Sequence, residues 1–138
     1  LAIATTTTPE NVSALLRSTL PQGALGWFEV VGAGDIVPHK KPAPDIYRHV
    51  LQQLRLPADQ VLAFEDSGHG LSSALGAGIQ RVVVTVNDYT RAQDFSGATA
   101  VFDMLGELDQ RAGSLAGPTP AGGVVDLAYL RILENAQL

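Results

Sequence analysis

The sequence predicts an α/β protein built on a doubly wound parallel sheet, and two observations carry that expectation. Apolar runs of strand length, at 1–4, 28–31, 61–64, 81–86 and 100–102, alternate with segments whose apolar residues recur at helical spacing. The run at 81–86 is β-branched almost throughout, as a strand buried on both faces requires. Alternation of this kind gives a three-layer, Rossmann-like architecture.

Each element has a local reason. Leu1-Ala2-Ile3-Ala4 is the first strand and runs into Thr5-Thr6-Thr7-Thr8. Thr8 suits an N-cap, Pro9 the first helical position, and Glu10 the positive end of the helix dipole. Val12, Leu15, Leu16 and Thr19 continue at helical spacing until Pro21. The strand at 28–31 closes in Gly32-Ala33-Gly34, and a loop at 35–42 leads to a helix opened by Pro44 and Asp45. Tyr47, Val50, Leu51 and Leu54 form its buried stripe, and Pro57 follows its end. Val61 to Phe64 is the third strand, with a helix over 71–77 behind it; 81–86 and 100–102 are the fourth and fifth. Asp103 is expected to cap a last core helix through Leu108. Residues 1–110 thus form the core domain. The stretch 111–123, rich in Gly, Pro and Ala, reads as a flexible linker, and 124–138 as a short helical tail.

Composition narrows the function. A chain of 138 residues can bury a substantial single core. It has no cysteine, which excludes disulfides and thiolate metal sites and agrees with a reducing cytoplasm. A net charge of −5 argues against a nucleic-acid partner, since no basic stripe is present to neutralise a phosphate backbone. No run approaches the roughly 18 apolar residues of a membrane span. Because Leu1 lies inside a strand rather than ahead of one, the chain is expected to be a piece of a longer protein.

Three features fall where strands end and helices begin, the edge at which open α/β sheets bind ligands. The threonines 5–8 offer hydroxyls and amides at a helix N-terminus, a place that attracts phosphate, though Thr8 could simply cap the helix. Lys40-Lys41-Pro42-Ala43-Pro44-Asp45-Ile46-Tyr47 sets a lysine on a backbone stiffened by two prolines. Lys41 there can act as a fixed positive charge toward a phosphoryl group, or remain an ordinary solvated lysine. Glu65 and Asp66 end the third strand, followed by Ser67-Gly68-His69-Gly70. Two carboxylates at a strand end suit Mg²⁺, a hard cation that takes oxygen ligands. Alternatively Asp66 is a helix N-cap, Glu65 is exposed, and Gly68 and Gly70 permit a tight turn. Hydroxyl, cation and paired carboxylates on one edge are the parts that metal-assisted phosphoryl transfer needs.

In this order the three features resemble motifs two, three and four of the haloacid dehalogenase superfamily of phosphatases and phosphomutases. The resemblance rests on a strand ending in Thr5, Lys41-Pro42-x-Pro44-Asp45, and Glu65-Asp66-Ser67-x-x-Gly70, and it covers about residues 1–110. These strings are similar to sugar-phosphate phosphatases and β-phosphoglucomutase. Asn87-Asp88-Tyr89-Thr90 and Asp94-Phe95-Ser96-Gly97-Ala98 are most like the CbbY branch, xylulose-1,5-bisphosphate phosphatases. The resemblance implies that Thr5 hydrogen-bonds the transferring phosphoryl group and that Lys41 holds that group beside the nucleophile. It implies that Glu65 and Asp66 complete a Mg²⁺ shell, directly or through water, and that Thr6 and Ser67 stand by as phosphate or substrate contacts. The likeness implies a small phosphorylated sugar as substrate; the cytoplasm is the expected location and a monomer the expected state of the full-length protein.

Two departures accompany it. His69 stands where relatives often carry Asn. The family's nucleophile, the first Asp of a D-x-D on the central strand, has no counterpart, because no D-x-D occurs in the sequence. That central strand would lie between the strands ending at Thr5 and Glu65, and the helical cap would follow it, both upstream of Leu1. The expectation is therefore a core that lacks its N-terminal central strand, cap and nucleophile, is poorly stable alone, and does not form an aspartyl-phosphate by itself. A phosphomutase with the same core, or a non-catalytic phosphate-binding remnant, are the alternative readings.

Overall fold

The computed structural model describes residues 1–135 of the chain. Its elements are β1 (Ala2–Ala4), α1 (Pro9–Thr19), β2 (Val30–Gly32), α2 (Asp45–Leu54), β3 (Leu62–Glu65), α3 (Gly68–Gly76), β4 (Arg81–Thr85), β5 (Ala100–Phe102), β6 (Ser114–Ala116) and α4 (Leu127–Asn135). Helix starts follow local chemistry. The Thr8 hydroxyl accepts the Asn11 N–H at 3.3 Å and Pro9 opens α1. Ser67 does the same for α3, accepting the Gly70 N–H at 3.1 Å.

The strands form two sheets. β1 and β2 pair in parallel, with Ile3 opposite Val31. The second sheet has the order β3-β4-β5-β6, parallel except for its last pair. β1 and β3 therefore lie in separate sheets, and among the described residues each is paired along one side only.

Helices cover both faces of the larger sheet, so the three-layer α/β expectation holds. The pleat of β4 divides the core: Val82 and Val84 pack with Ile46, Tyr47 and Leu71 of α2 and α3, while Val83 packs with Phe102 and with Tyr129 and Leu133 of α4. All three valines are fully buried. Phe102 and Tyr129 meet edge to face, ring centroids 5.9 Å apart.

Helix α2 ties the two sheets together. It packs on β1, β2 and α3, and Ala4 joins the core that holds Ile46 and Tyr47. The approach to β2 needs a glycine: a Cβ at Gly32 would lie 2.7 Å from Val50 Cγ2 and 3.3 Å from Ile46 Cδ1.

Several expectations need correction. Residues 103–108 form no helix. Asp103 instead takes the Gly113 N–H on its Oδ1 at 2.7 Å and donates its own N–H to the Gly113 carbonyl at 3.0 Å, which turns the chain back. The segment 111–123 is consequently not a flexible linker: it contains β6, and Ala112 is buried with Phe102 and Leu133. Its glycines allow close approach, since a Cβ at Gly113 would lie 2.4 Å from Asp103 Oδ2. In α1 only Val12 of the expected stripe is buried, and Leu15 is 60% exposed. The tail expected at 124–138 is helical from Leu127; its residues 136–138 lie outside the described residues.

The Gly32 contact predicts that Gly32→Ala destabilises the chain by about 1–3 kcal/mol through overpacking. The midpoint of urea unfolding should fall at an unchanged m-value; an unmoved midpoint would show that α2 does not depend on this approach.

Candidate active site

β1 delivers Thr5 to the carboxyl end of its sheet. The Thr5 N–H donates to the Gly32 carbonyl at 2.9 Å, and its Oγ1 accepts the Thr7 N–H at 3.2 Å. With Oγ1 already accepting, the hydroxyl proton is what Thr5 has to offer a ligand. Thr7 Oγ1 accepts from Asn11 Nδ2 at 3.3 Å, whereas Thr6 is exposed.

The two lysines part company. Lys40 turns outward and pairs with Asp35 at 2.8 Å, its side chain 58% exposed. Lys41, joined to Pro42 by a cis peptide, turns inward: its Nζ donates to Glu65 Oε1 at 2.5 Å and its side chain is 16% exposed. The loop that carries it is anchored by α3, where the buried Ser73 hydroxyl donates to the Ala43 carbonyl at 2.6 Å. His39 closes the outer side of this loop with a 2.9 Å contact to Asp45.

Glu65 ends β3 with its side chain only 5% exposed. Its Oε1 receives two donors, Lys41 Nζ and the Tyr47 hydroxyl. Its Oε2 lies against Gly70, where an added Cβ would fall 1.7 Å from that oxygen. Burial, and then the neighbouring Glu65 carboxylate, push the Tyr47 phenol well above its ordinary value of 10.0, with Asp66 contributing least. Tyr47 therefore stays protonated and donates throughout the physiological range.

Asp66 is the counterpart. It is exposed and has no hydrogen-bond or ion-pair partner among the described residues. It faces an open groove of about 440 Å³ that runs across the carboxyl ends of β3, β4 and β5, with Thr85, Asn87, Asp103 and Glu107 on its walls.

The expected carboxylate pair is thus divided. The pleat sends adjacent side chains to opposite sides, and here it buries Glu65 against Lys41 while leaving Asp66 in the groove. A Mg²⁺ site commonly uses one or two carboxylates, with water and substrate phosphate completing the shell. Asp66 fits that part; Glu65, occupied by Lys41 and Tyr47, is tied to the lysine instead. Among the described residues no group of three acidic or histidine side chains is placed to hold a metal. The N-cap alternative for Asp66 is overturned, since Ser67 fills that position. Ser67 Oγ accepts from Gly70, which leaves its proton to donate. The Gly68 N–H is taken by Gln93 Oε1 at 2.7 Å. Neither Gly68 nor Gly70 makes a positive-φ turn; both are helical, and Gly70 is needed for space. His69 is exposed. Sequence reasoning placed Tyr47 only in a core stripe. The signal that could have singled it out is its hydroxyl, which a buried tyrosine has to satisfy.

Comparison with known proteins identifies the family of the fold. Residues 1–78 match the family model of the haloacid dehalogenase-like hydrolases. Protein CbbY of Rhodobacter capsulatus is 57% identical over 98 residues, 71% of this chain and 43% of that protein. The plasmid-borne CbbY of Cupriavidus necator is 46% identical over all 138 residues, covering 54% of its own length. A crystal structure of CbbY from Rhodobacter sphaeroides in complex with phosphate superposes with a TM-score of 0.73 at 46% identity, over 79% of this chain and 48% of that one. A mutant of the same protein in complex with xylulose-1,5-bisphosphate gives 0.71 over the same shares. The chain spans about half the length of the curated relatives it matches.

Two outcomes follow from the buried pair. Lys41→Met leaves Glu65 buried and uncompensated, and should cost about 3–5 kcal/mol. The double variant Lys41→Met/Glu65→Gln should recover most of that in urea unfolding. Stability also depends on Tyr47 at high pH. Its folded pKa lies above the unfolded one, so its contribution is complete below about pH 10 and is lost as pH climbs from there toward the folded value. Tyr47→Phe should flatten that alkaline fall; an identical alkaline slope would contradict it.

Proposed function

The chain belongs to the haloacid dehalogenase-like hydrolases, and from that premise we propose that it forms the phosphoryl-binding half of a Mg²⁺-dependent phosphatase for a small phosphorylated sugar of the xylulose-1,5-bisphosphate kind. The observation that carries the reading is the buried Lys41–Glu65 pair with the exposed Asp66 carboxylate immediately beside it.

In this reading the phosphoryl group sits at the carboxyl ends of β1 and β3. Lys41 gives one of its three N–H donors to Glu65 and turns the others to the phosphoryl oxygens, offsetting their charge as the nucleophile approaches. Thr5 donates its hydroxyl proton to a phosphoryl oxygen, and Thr6 and Ser67 serve as further phosphate or substrate contacts. Asp66 would hold the Mg²⁺, which when bound neutralises charge on the phosphoryl group. The nucleophile is an Asp carried outside these 138 residues: its carboxylate forms the bond to phosphorus as the sugar oxygen leaves, taking a proton from a second acid also outside them, and water, giving its proton to that same acid, then cleaves the aspartyl phosphate to release inorganic phosphate. The separation of β1 from β3 supports a place for one more strand between them. The CbbY relatives, one of them in complex with xylulose-1,5-bisphosphate, support the choice of substrate class.

The test uses the product of the complete reading frame that contains residues 1–138. Asp66→Ala should lower Mg²⁺-dependent phosphate release from xylulose-1,5-bisphosphate by roughly a hundredfold or more, the scale of removing one preorganised electrostatic element. Undiminished release by that variant would sink the assignment of Asp66.

A further inference from the structure

Tyr47 is used by no step above, yet it touches both members of the central pair. Its ring is packed in the core with Ala63 and Leu71, and the residue is 7% exposed. From the first turn of α2 its hydroxyl donates to Glu65 Oε1, the same oxygen that accepts Lys41 Nζ. The Lys41 ammonium also lies 5.0 Å from the centre of the Tyr47 ring, within reach of its negative face.

A phenylalanine would fill this core position equally well, so the hydroxyl is there for what it bonds. Glu65 Oε1 is fixed from one side by that hydroxyl, while Gly70 bounds Oε2 on the other. Lys41 is a flexible four-carbon stem that, unguided, would sample many directions. A single immobile acceptor oxygen, with a ring face beneath the ammonium, leaves it one favoured place.

We propose that Tyr47 is a positioning residue: it holds Glu65 Oε1 at the point from which the carboxylate directs the Lys41 ammonium toward the carboxyl ends of the strands. Its use in turnover rests on the phosphatase reading given above; its grip on Lys41 does not.

The experiment separates the two. In the product of the complete reading frame, amines are acetylated with N-hydroxysuccinimide acetate at fixed pH. Labelling at Lys41 is then followed by mass spectrometry relative to Lys40, whose side chain is 58% exposed. Lys41 should be protected in the parent protein, and Tyr47→Phe should raise its relative labelling about tenfold, the worth of one hydrogen bond to a charged group. Glu65→Gln should also remove the protection, and adding Tyr47→Phe to it should change nothing further. In steady-state phosphate release Tyr47→Phe should lower kcat about tenfold with KM within about twofold, and should have no further effect in a Lys41→Met background. Unchanged Lys41 labelling in Tyr47→Phe, or an equal additional loss of kcat in the Lys41→Met background, overturns the positioning role. Loss of protection in a protein whose phosphate release survives Lys41→Met upholds the positioning role and overturns the phosphatase reading instead.

Discussion

An ionised carboxylate can be kept out of water only if its charge is answered nearby, and in this chain that demand falls on Glu65 at the end of β3. The groups that meet it come from separate parts of the sequence. Lys41 lies 24 residues earlier on a proline-stiffened loop, and Tyr47 lies 18 residues earlier on α2. Gly70 closes the other side from α3. One side chain therefore sets the mutual positions of a strand, a loop and two helices.

The remaining architecture serves to keep those pieces in place. Ser73 fastens the loop carbonyl at Ala43 to α3, and Gly32 lets α2 settle on β2. Because α2 also reaches β1, the Thr5 turn and the Lys41 loop share a support even though their strands belong to different sheets. Asp66, one position beyond Glu65, has the opposite environment. A dry, paired carboxylate and a wet, open one are separated by a single peptide unit, which is how a pleated strand end gives adjacent residues opposite environments.

What could be read in the sequence was what depends on near neighbours. Thr8 and Pro9 announced the start of α1, and the β-branched run announced β4. What could not be read depends on residues far apart. Asp103 looked like a helix cap because its partner, Gly113, lies on a stretch whose composition suggests slack chain; bound to each other they make a turn and the short β6. Glu65 and Asp66 looked equivalent because no local rule tells which of two neighbouring acids a distant lysine will take. Leu15 kept its helical spacing but has no apolar cover, so periodicity alone overstated the buried face of α1.

The contact between Glu65 and Gly70 couples two positions five apart. A side chain at 70 and a glutamate at 65 compete for one volume, so residue 70 can grow only if residue 65 shortens or swings away. Shortening residue 65 would in turn withdraw the acceptor from Lys41 and Tyr47. Chains that keep this arrangement are therefore expected to vary at 65 and 70 together or not at all, and Gly70 marks the outline of a carboxylate rather than a bend in the backbone.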